Sequence, residues 1–309
     1  MGAATRPFRF GAVTTSGTEA SRRRWTEYVR RLEGGGFSTL LVADHYHNAI
    51  ACTPRLAAAA AVTTTLRLGS YVYANDFRHP VLVARESAEI DRLSDGRMEL
   101  GVGAGWAKDE YDMVGIKFDD GPTRVRRFEE AIGIIRALHR DGAVSHHGAF
   151  YQVSDCELLV EPVQRPIPLL IGGGGPRMTR FAAAAADTIA FVPKSLPGGG
   201  LDPAEFAADA FDAKIRLLDE VTAGAPDGGP ERAVLVFYRV GTVAELPTGP
   251  DEWTTAETLV GSPYLLVGDT EQSVEALLER RERWGISYVT CWEEDVALFL
   301  PVVERLAGR

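Results

Sequence analysis

The chain has 309 residues, 33 Lys and Arg against 43 Asp and Glu, and a formal charge of −10. With 45% hydrophobic and 25% charged residues it has the composition of a globular chain, which excludes a disordered one. The acidic balance excludes the basic footprint of a nucleic-acid or anionic-membrane binder, and no apolar run approaches the roughly 18 residues of a membrane span. Arg22-Arg23-Arg24 and Arg280-Arg281 read as solvated helix faces. Cys52, Cys156 and Cys291 stand far apart with no CxxC pair, so zinc and dithiol chemistry have no support. An odd cysteine count without an apolar leader fits a cytoplasmic protein.

Short apolar strands alternate with longer amphipathic helices. A strand over 8–13 precedes a helix over 19–34, where Trp25, Val29 and Leu32 fall at helical spacing until Gly34-Gly35-Gly36 stops it. A strand over 39–43, a helix over 54–63 and a strand over 66–73 follow. Pro80 suits the first turn of a helix over 79–93. A turn at Ser94-Asp95-Gly96 leads to a strand over 97–102, a helix over 122–140 and a β excursion over 143–160. The strand over 167–171 runs into Gly172–Gly175 and a helix from Pro176. Strands over 189–192, 233–241 and 287–292 then alternate with helices over 203–221, 270–284 and 294–307. Strict alternation predicts a parallel sheet, and eight units predict one closed (β/α)8 TIM barrel spanning 1–309. Excursions follow the fourth and seventh strands, at 103–121, 143–160 and 242–266.

In such a barrel the chemistry sits where strands end. After the second strand comes Asp44-His45-Tyr46-His47, and an imidazole there suits proton transfer near neutral pH. The competing reading is a histidine satisfied by a neighbouring loop. Tyr71-Val72-Tyr73-Ala74-Asn75-Asp76 brings aromatic and polar groups to the third exit. Gly101-Val102-Gly103-Ala104-Gly105-Trp106 matches a dinucleotide fingerprint only loosely, so it reads as close backbone approach with Trp106 flanking the mouth. Lys108, Asp109, Glu110 and Tyr111 follow on a short helix.

After the fifth strand, Gly172-Gly173-Gly174-Gly175-Pro176-Arg177 sets four glycines before a helix start. Free backbone N–H groups and the helix dipole there suit a phosphate, against the plainer reading of a tight turn. Glu293 and Glu294 read as helix-start acids. Metal-ligand spacing, a GxSxG elbow and a Schiff-base lysine are all missing. These features point to a phosphorylated, planar, redox-active cofactor, a small-molecule substrate and no metal.

The segments GGGFSTLLVADHY (34–46), LRLGSYVYANDFRHPVLVARESAEIDRLSDGRMELGVGAGWAKDEY (66–111), EPVQRPIPLLIGGGGPRMTRFAAAAADTIAF (161–191) and SPYLLVGDTEQSVEALLERRERWGISYV (262–289) together resemble the bacterial luciferase-like flavin and deazaflavin oxidoreductases. The third and fourth are most similar to the coenzyme F420-dependent subgroup. The resemblance implies a TIM barrel with the ring in its mouth. It implies ring and substrate contacts from Asp44 and His45, and a non-prolyl cis peptide at or near Tyr71-Val72, beside Ala74. It further implies a strand exit at Gly105 and Trp106, and a phosphate held by Gly172, Gly173, Gly174, Gly175, Pro176, Arg177 and Met178. His45 is then the acid/base, and Asp44 orients either His45 or the ring. Arg177, Arg180 and Lys194 suit the anionic tail of F420. Trp106 replaces the acid found at this point in the sugar-phosphate dehydrogenases of the superfamily, which speaks against that substrate, and 242–266 reads as part of a substrate lid. The alternatives are an FMNH2-dependent monooxygenase using O2 and a non-catalytic flavin-binding barrel. Helices 54–63 and 79–93 suit a homodimer face.

Overall fold

The computed structural model describes residues 6–15, 21–47, 50–225, 228–246 and 255–309. In chain order they form β1 (Arg9–Thr14), α1 (Arg22–Gly34), β2 (Thr39–Val42), α2 (Cys52–Ala60), β3 (Arg67–Ser70), β4 (Tyr73–Ala74), α3 (Pro80–Leu93), β5 (Met98–Gly103), α4 (Lys108–Val114) and α5 (Gly121–Asp141). Then come β6 (Ala143–His147), β7 (Gln152–Glu157), β8 (Leu169–Gly173), α6 (Pro176–Ala185), β9 (Thr188–Phe191), α7 (Ala208–Val221), β10 (Glu231–Val236) and β11 (Tyr238–Val240). The chain ends with α8 (Ala256–Leu259), β12 (Leu265–Val267), α9 (Thr270–Trp284), β13 (Ile286–Trp292) and α10 (Val296–Leu306).

Nine strand segments make one sheet in the order β3-β2-β1-β13-β10-β9-β8-β5-β4, and a further β3–β5 pairing closes it. β3 and β4 are two halves of one barrel strand, both parallel to β5. The fold is therefore the expected (β/α)8 TIM barrel. Two of its short strands, β2 (TLLV) and β9 (TIAF), read as short runs without charge because both faces are buried.

By internal packing the chain divides into two compact units. One comprises the chain up to Val13, Gly34–Ser38 and Gly173–Arg309; the other comprises Thr14–Glu33 and Thr39–Gly172. In the second unit, α3 starts with Pro80 at its first position and His79 accepting from the Val81 N–H at 3.3 Å. The N-cap of α5 is Asp120, which accepts from the Thr123 N–H at 2.7 Å, and Gly142 ends the helix in the left-handed region. These two helices share a buried Ser87–His139 hydrogen bond of 3.0 Å, and burial pushes the His139 imidazole down to about 4. β6 and β7 form an antiparallel hairpin where a β excursion was expected. The tip of this hairpin is held by Glu130, which accepts from the N–H groups of Ala149, Phe150 and Tyr151.

In the first unit, Phe191, Phe206, Phe211, Phe237, Tyr264 and Trp284 pack edge-on in an aromatic core, with centroids 5.1–5.8 Å apart along the chain of contacts. A capping box of Asp269 and Gln272 opens α9, and Gly285 closes it.

Three local expectations need correction. The strand over 66–73 breaks at the Tyr71-Val72 peptide into β3 and β4. The strand over 233–241 breaks at Phe237, because β11 leaves the main sheet to pair with β12 at the end of the 242–266 excursion. Residues 247–254 of that excursion lie outside the described residues, as do 19 and 20 of the first helix. Arg280 is buried, not solvated. It shares the inner face of α9 with Leu277 and Trp284 and donates to the carbonyls of Pro263, Ser262 and Leu265, while burial pulls its guanidinium down to about 10. Arg22, Arg23 and Arg24 are on the surface, as expected.

Candidate active site

The residues expected at the second, third and fourth strand exits come together within the second unit. β2 ends at Val42, and Asp44 and His45 follow. His45 Nδ1 lies 2.9 and 3.0 Å from the two carboxylate oxygens of Glu110, 65 residues away on α4. Glu110 also accepts from the backbone N–H groups of Tyr46 at 3.1 Å and His47 at 3.4 Å. Burial alone would raise the Glu110 pKa. The His45 hydrogen bond and charge, with the two backbone donors, outweigh it and hold the carboxyl below its usual range. The Trp106 ring stands edge-on to the His45 ring at 5.9 Å.

Asp44 does not bond to His45. It accepts from Arg78 Nη2 at 2.6 Å and Nε at 3.2 Å, and from the Ala74 N–H at 3.3 Å. Of the two orienting roles expected for Asp44, orientation of His45 falls to Glu110. The short helix after Gly105-Trp106 was foreseen, but no motif marked Glu110. The available signal was a carboxylate on that helix with no basic residue four positions along to pair with.

The third exit contains a non-prolyl cis peptide at Tyr71-Val72, where the resemblance puts it. The Val72 side chain packs on glycine backbone: a Cβ on Gly103 would stand 2.8 Å from Val72 Cγ2, and one on Gly172 would stand 3.3 Å from both Val72 methyls. A Cβ on Gly101 would overlap the Ser70 carbonyl. Gly101 and Gly103 at the fourth exit thus serve close approach of chain to chain, as expected there, and Gly172 at the fifth packs against the same Val72 side chain. Gly105 lies in the left-handed region at φ 81°, with the Tyr111 hydroxyl where a Cβ would project. That hydroxyl donates to Asp76 at 3.0 Å, and Asp76 takes a bidentate bond from Arg127 at 2.8 and 2.7 Å. Beside this network Asn75, Arg78, Lys117, Asp119, Arg127 and Tyr151 line an open cleft of about 370 Å³.

In the first unit, Gly173–Gly175 of the glycine run leads into α6 as expected. Gly175 is the N-cap and Pro176 the first helical residue, and no side chain caps the helix. A Cβ on Gly174 would overlap the 192–194 backbone, and Gly173 packs on Met178, which is buried. Around Gly175 nothing lies within 4 Å of a Cβ position. Pro176, Arg177, Arg180 and Lys194 are exposed. An uncapped helix start with open space before it and cationic side chains about it fits a phosphate-bearing cofactor.

A model of the luciferase-like monooxygenase family matches residues 4–241. The chain belongs to the luciferase-like monooxygenase family. Among curated luciferase-like relatives, an F420-dependent glucose-6-phosphate dehydrogenase of Beutenbergia cavernae is 36% identical over 168 residues, 52% of this chain and 49% of that protein. One of the same name from Microbacterium testaceum is 29% identical over 286 residues, 89% of this chain and 79% of that protein. The chain thus aligns with about half the length of the first relative and with most of the second. A solved F420-dependent secondary alcohol dehydrogenase, in complex with an F420-acetone adduct, has the same fold at a TM-score of 0.77. It is 20% identical and covers 97% of this chain and 98% of its own. Among the described residues no helix of this luciferase-like chain is long and apolar enough to cross a membrane.

Proposed function

We propose that this chain is an oxidoreductase that transfers a hydride between coenzyme F420 and a small organic substrate, an unsaturated carbonyl, imine or alcohol. The observation that carries the reading is His45, held through Nδ1 by a buried carboxylate at a barrel-strand exit, with Trp106 at its edge. The names of the curated relatives support the choice of F420 over FMN.

When bound, the coenzyme supplies the hydride chemistry; the protein supplies position and proton transfer. Asp44, Tyr71, Val72, Ala74, Gly105 and Trp106 are the residues we assign to the ring, with Asp44 fixed by Arg78. Gly172, Gly173, Gly174, Gly175, Pro176, Arg177 and Met178 are assigned to the phosphate. His45 gives a proton to, or takes one from, the reacting substrate oxygen or nitrogen. The whole of 1–309 is read as one luciferase-like domain, supported by the span of the family match and by fold likeness over 97% of the chain. A cytoplasmic homodimer completes the proposal. Its support is the free cysteines Cys52, Cys156 and Cys291 and the exposed Leu82 and Leu93 on α3.

The test is His45→Ala, assayed by oxidation and reduction of F420 against a panel of alcohols, unsaturated carbonyls and imines. Turnover is expected to fall by roughly 10²–10⁴ with cofactor affinity retained. Equal turnover in the variant and the native protein would contradict the role of His45.

A further inference from the structure

We propose that Glu110 is a positioning residue that decides which nitrogen of His45 exchanges the proton. This rests on the reading of His45 as the acid/base. An ionised carboxylate only accepts hydrogen bonds, so Nδ1, within 3.0 Å of both Glu110 oxygens, carries the hydrogen. Nε2 has no hydrogen-bond partner among the described residues, and the His45 side chain is 32% exposed. Nε2 is therefore the nitrogen presented to the reacting group. The neutral ring accepts a proton there. Once protonated, its charge faces the carboxylate, which stabilises it, so the same pair serves proton transfer in either direction.

Glu110 is built for this role independently of the imidazole. Its side chain is 3% exposed, and the Tyr46 and His47 N–H groups orient its Oε1. The next residue, Tyr111, is anchored through Asp76 to Arg127, which fixes α4 and hence the carboxylate. His47 and Asp109 form a second imidazole–carboxylate pair at 2.7 Å between the same two segments. That pair is exposed on both sides and contributes little, so it is not an equivalent of the first.

The decisive test uses the protein without substrate. Nitrogen-15 NMR of histidine-labelled protein at alkaline pH is expected to show His45 as a single tautomer, hydrogen on Nδ1 and a free lone pair on Nε2. In Glu110→Gln the amide N–H competes for Nδ1, and a mixed population with hydrogen on Nε2 is expected. Glu110→Asp retains the carboxylate and keeps the native tautomer, which separates loss of charge from loss of fold. In turnover, Glu110→Gln lowers kcat by about 10- to 100-fold with KM nearly unchanged. Hydrogen on Nε2 in the native protein, or identical tautomers and kcat in native and Glu110→Gln proteins, would overturn the proposal. The tautomer needs no turnover, so its failure is distinguishable from failure of the acid/base reading, which His45→Ala reports.

Discussion

Asp44 and Arg78 form a closed pair: the two carboxylate oxygens take two guanidinium nitrogens, at 2.6 and 3.2 Å, beside the strand exit that bears His45. The guanidinium lies over the Tyr73 ring with its carbon 4.7 Å from the centroid. Burial would lower the Arg78 pKa, but the hydrogen bond and charge of Asp44 outweigh it and push it above the usual arginine range. The Asp44 side chain is only 12% exposed. Replacing Arg78 by Met leaves that carboxylate without its counter-charge. The expected cost is about 2–4 kcal/mol, below the full penalty because the Ala74 N–H remains. Urea unfolding measures it, and a loss under about 1 kcal/mol would show the pair to be energetically idle.

A substitution at Gly175 separates helix stability from the cofactor binding proposed for this loop. Its φ of −92° and ψ of 155° are open to any residue, and nothing occupies the space where a side chain would go. Asp at this N-cap accepts from the first-turn N–H groups and stabilises α6 by up to about 1 kcal/mol relative to Gly. The same carboxylate stands where the cofactor phosphate is proposed to bind. Gly175→Asp is therefore expected to hold or raise the melting temperature while weakening F420 binding at least tenfold. Unchanged binding would remove the phosphate from this loop.

Asp295, which precedes α10, gives a prediction in pH. Burial, with the charge of Glu294, pushes its carboxyl up to about 6; Arg239 offsets part of the rise. A folded pKa above the unfolded value of about 4 means that the native state binds more protons across that window. Stability thus falls as pH rises from about 4 to 6, and the loss persists above it. Asp295→Asn is expected to raise the melting temperature at pH 7.5 and to leave it unchanged near pH 4. An equal gain at both values would show that the effect is not ionisation.

All eight barrel strands were legible because a parallel strand buried on both faces is a short apolar run between polar helices, as TLLV and TIAF are. Helix starts were legible where Pro80 and Pro176 mark them. What was not legible depends on the third dimension. Asp44 and His45 read as a pair because they are adjacent, yet each finds its partner far along the chain, in Arg78 and Glu110. Charge runs also mislead: Arg280 and Arg281 look alike in sequence, but the helical phase shared with Leu277 and Trp284 turns Arg280 inward to three carbonyls.

Use of coenzyme F420 by this luciferase-like barrel can be checked by titrating purified apo-protein with F420 and with FMN side by side, following cofactor fluorescence. Tight binding of F420 and weak binding of FMN are expected. Tight FMN binding with weak F420 binding would contradict that use and point to oxygen-consuming chemistry, and binding of neither would contradict a cofactor role for the site.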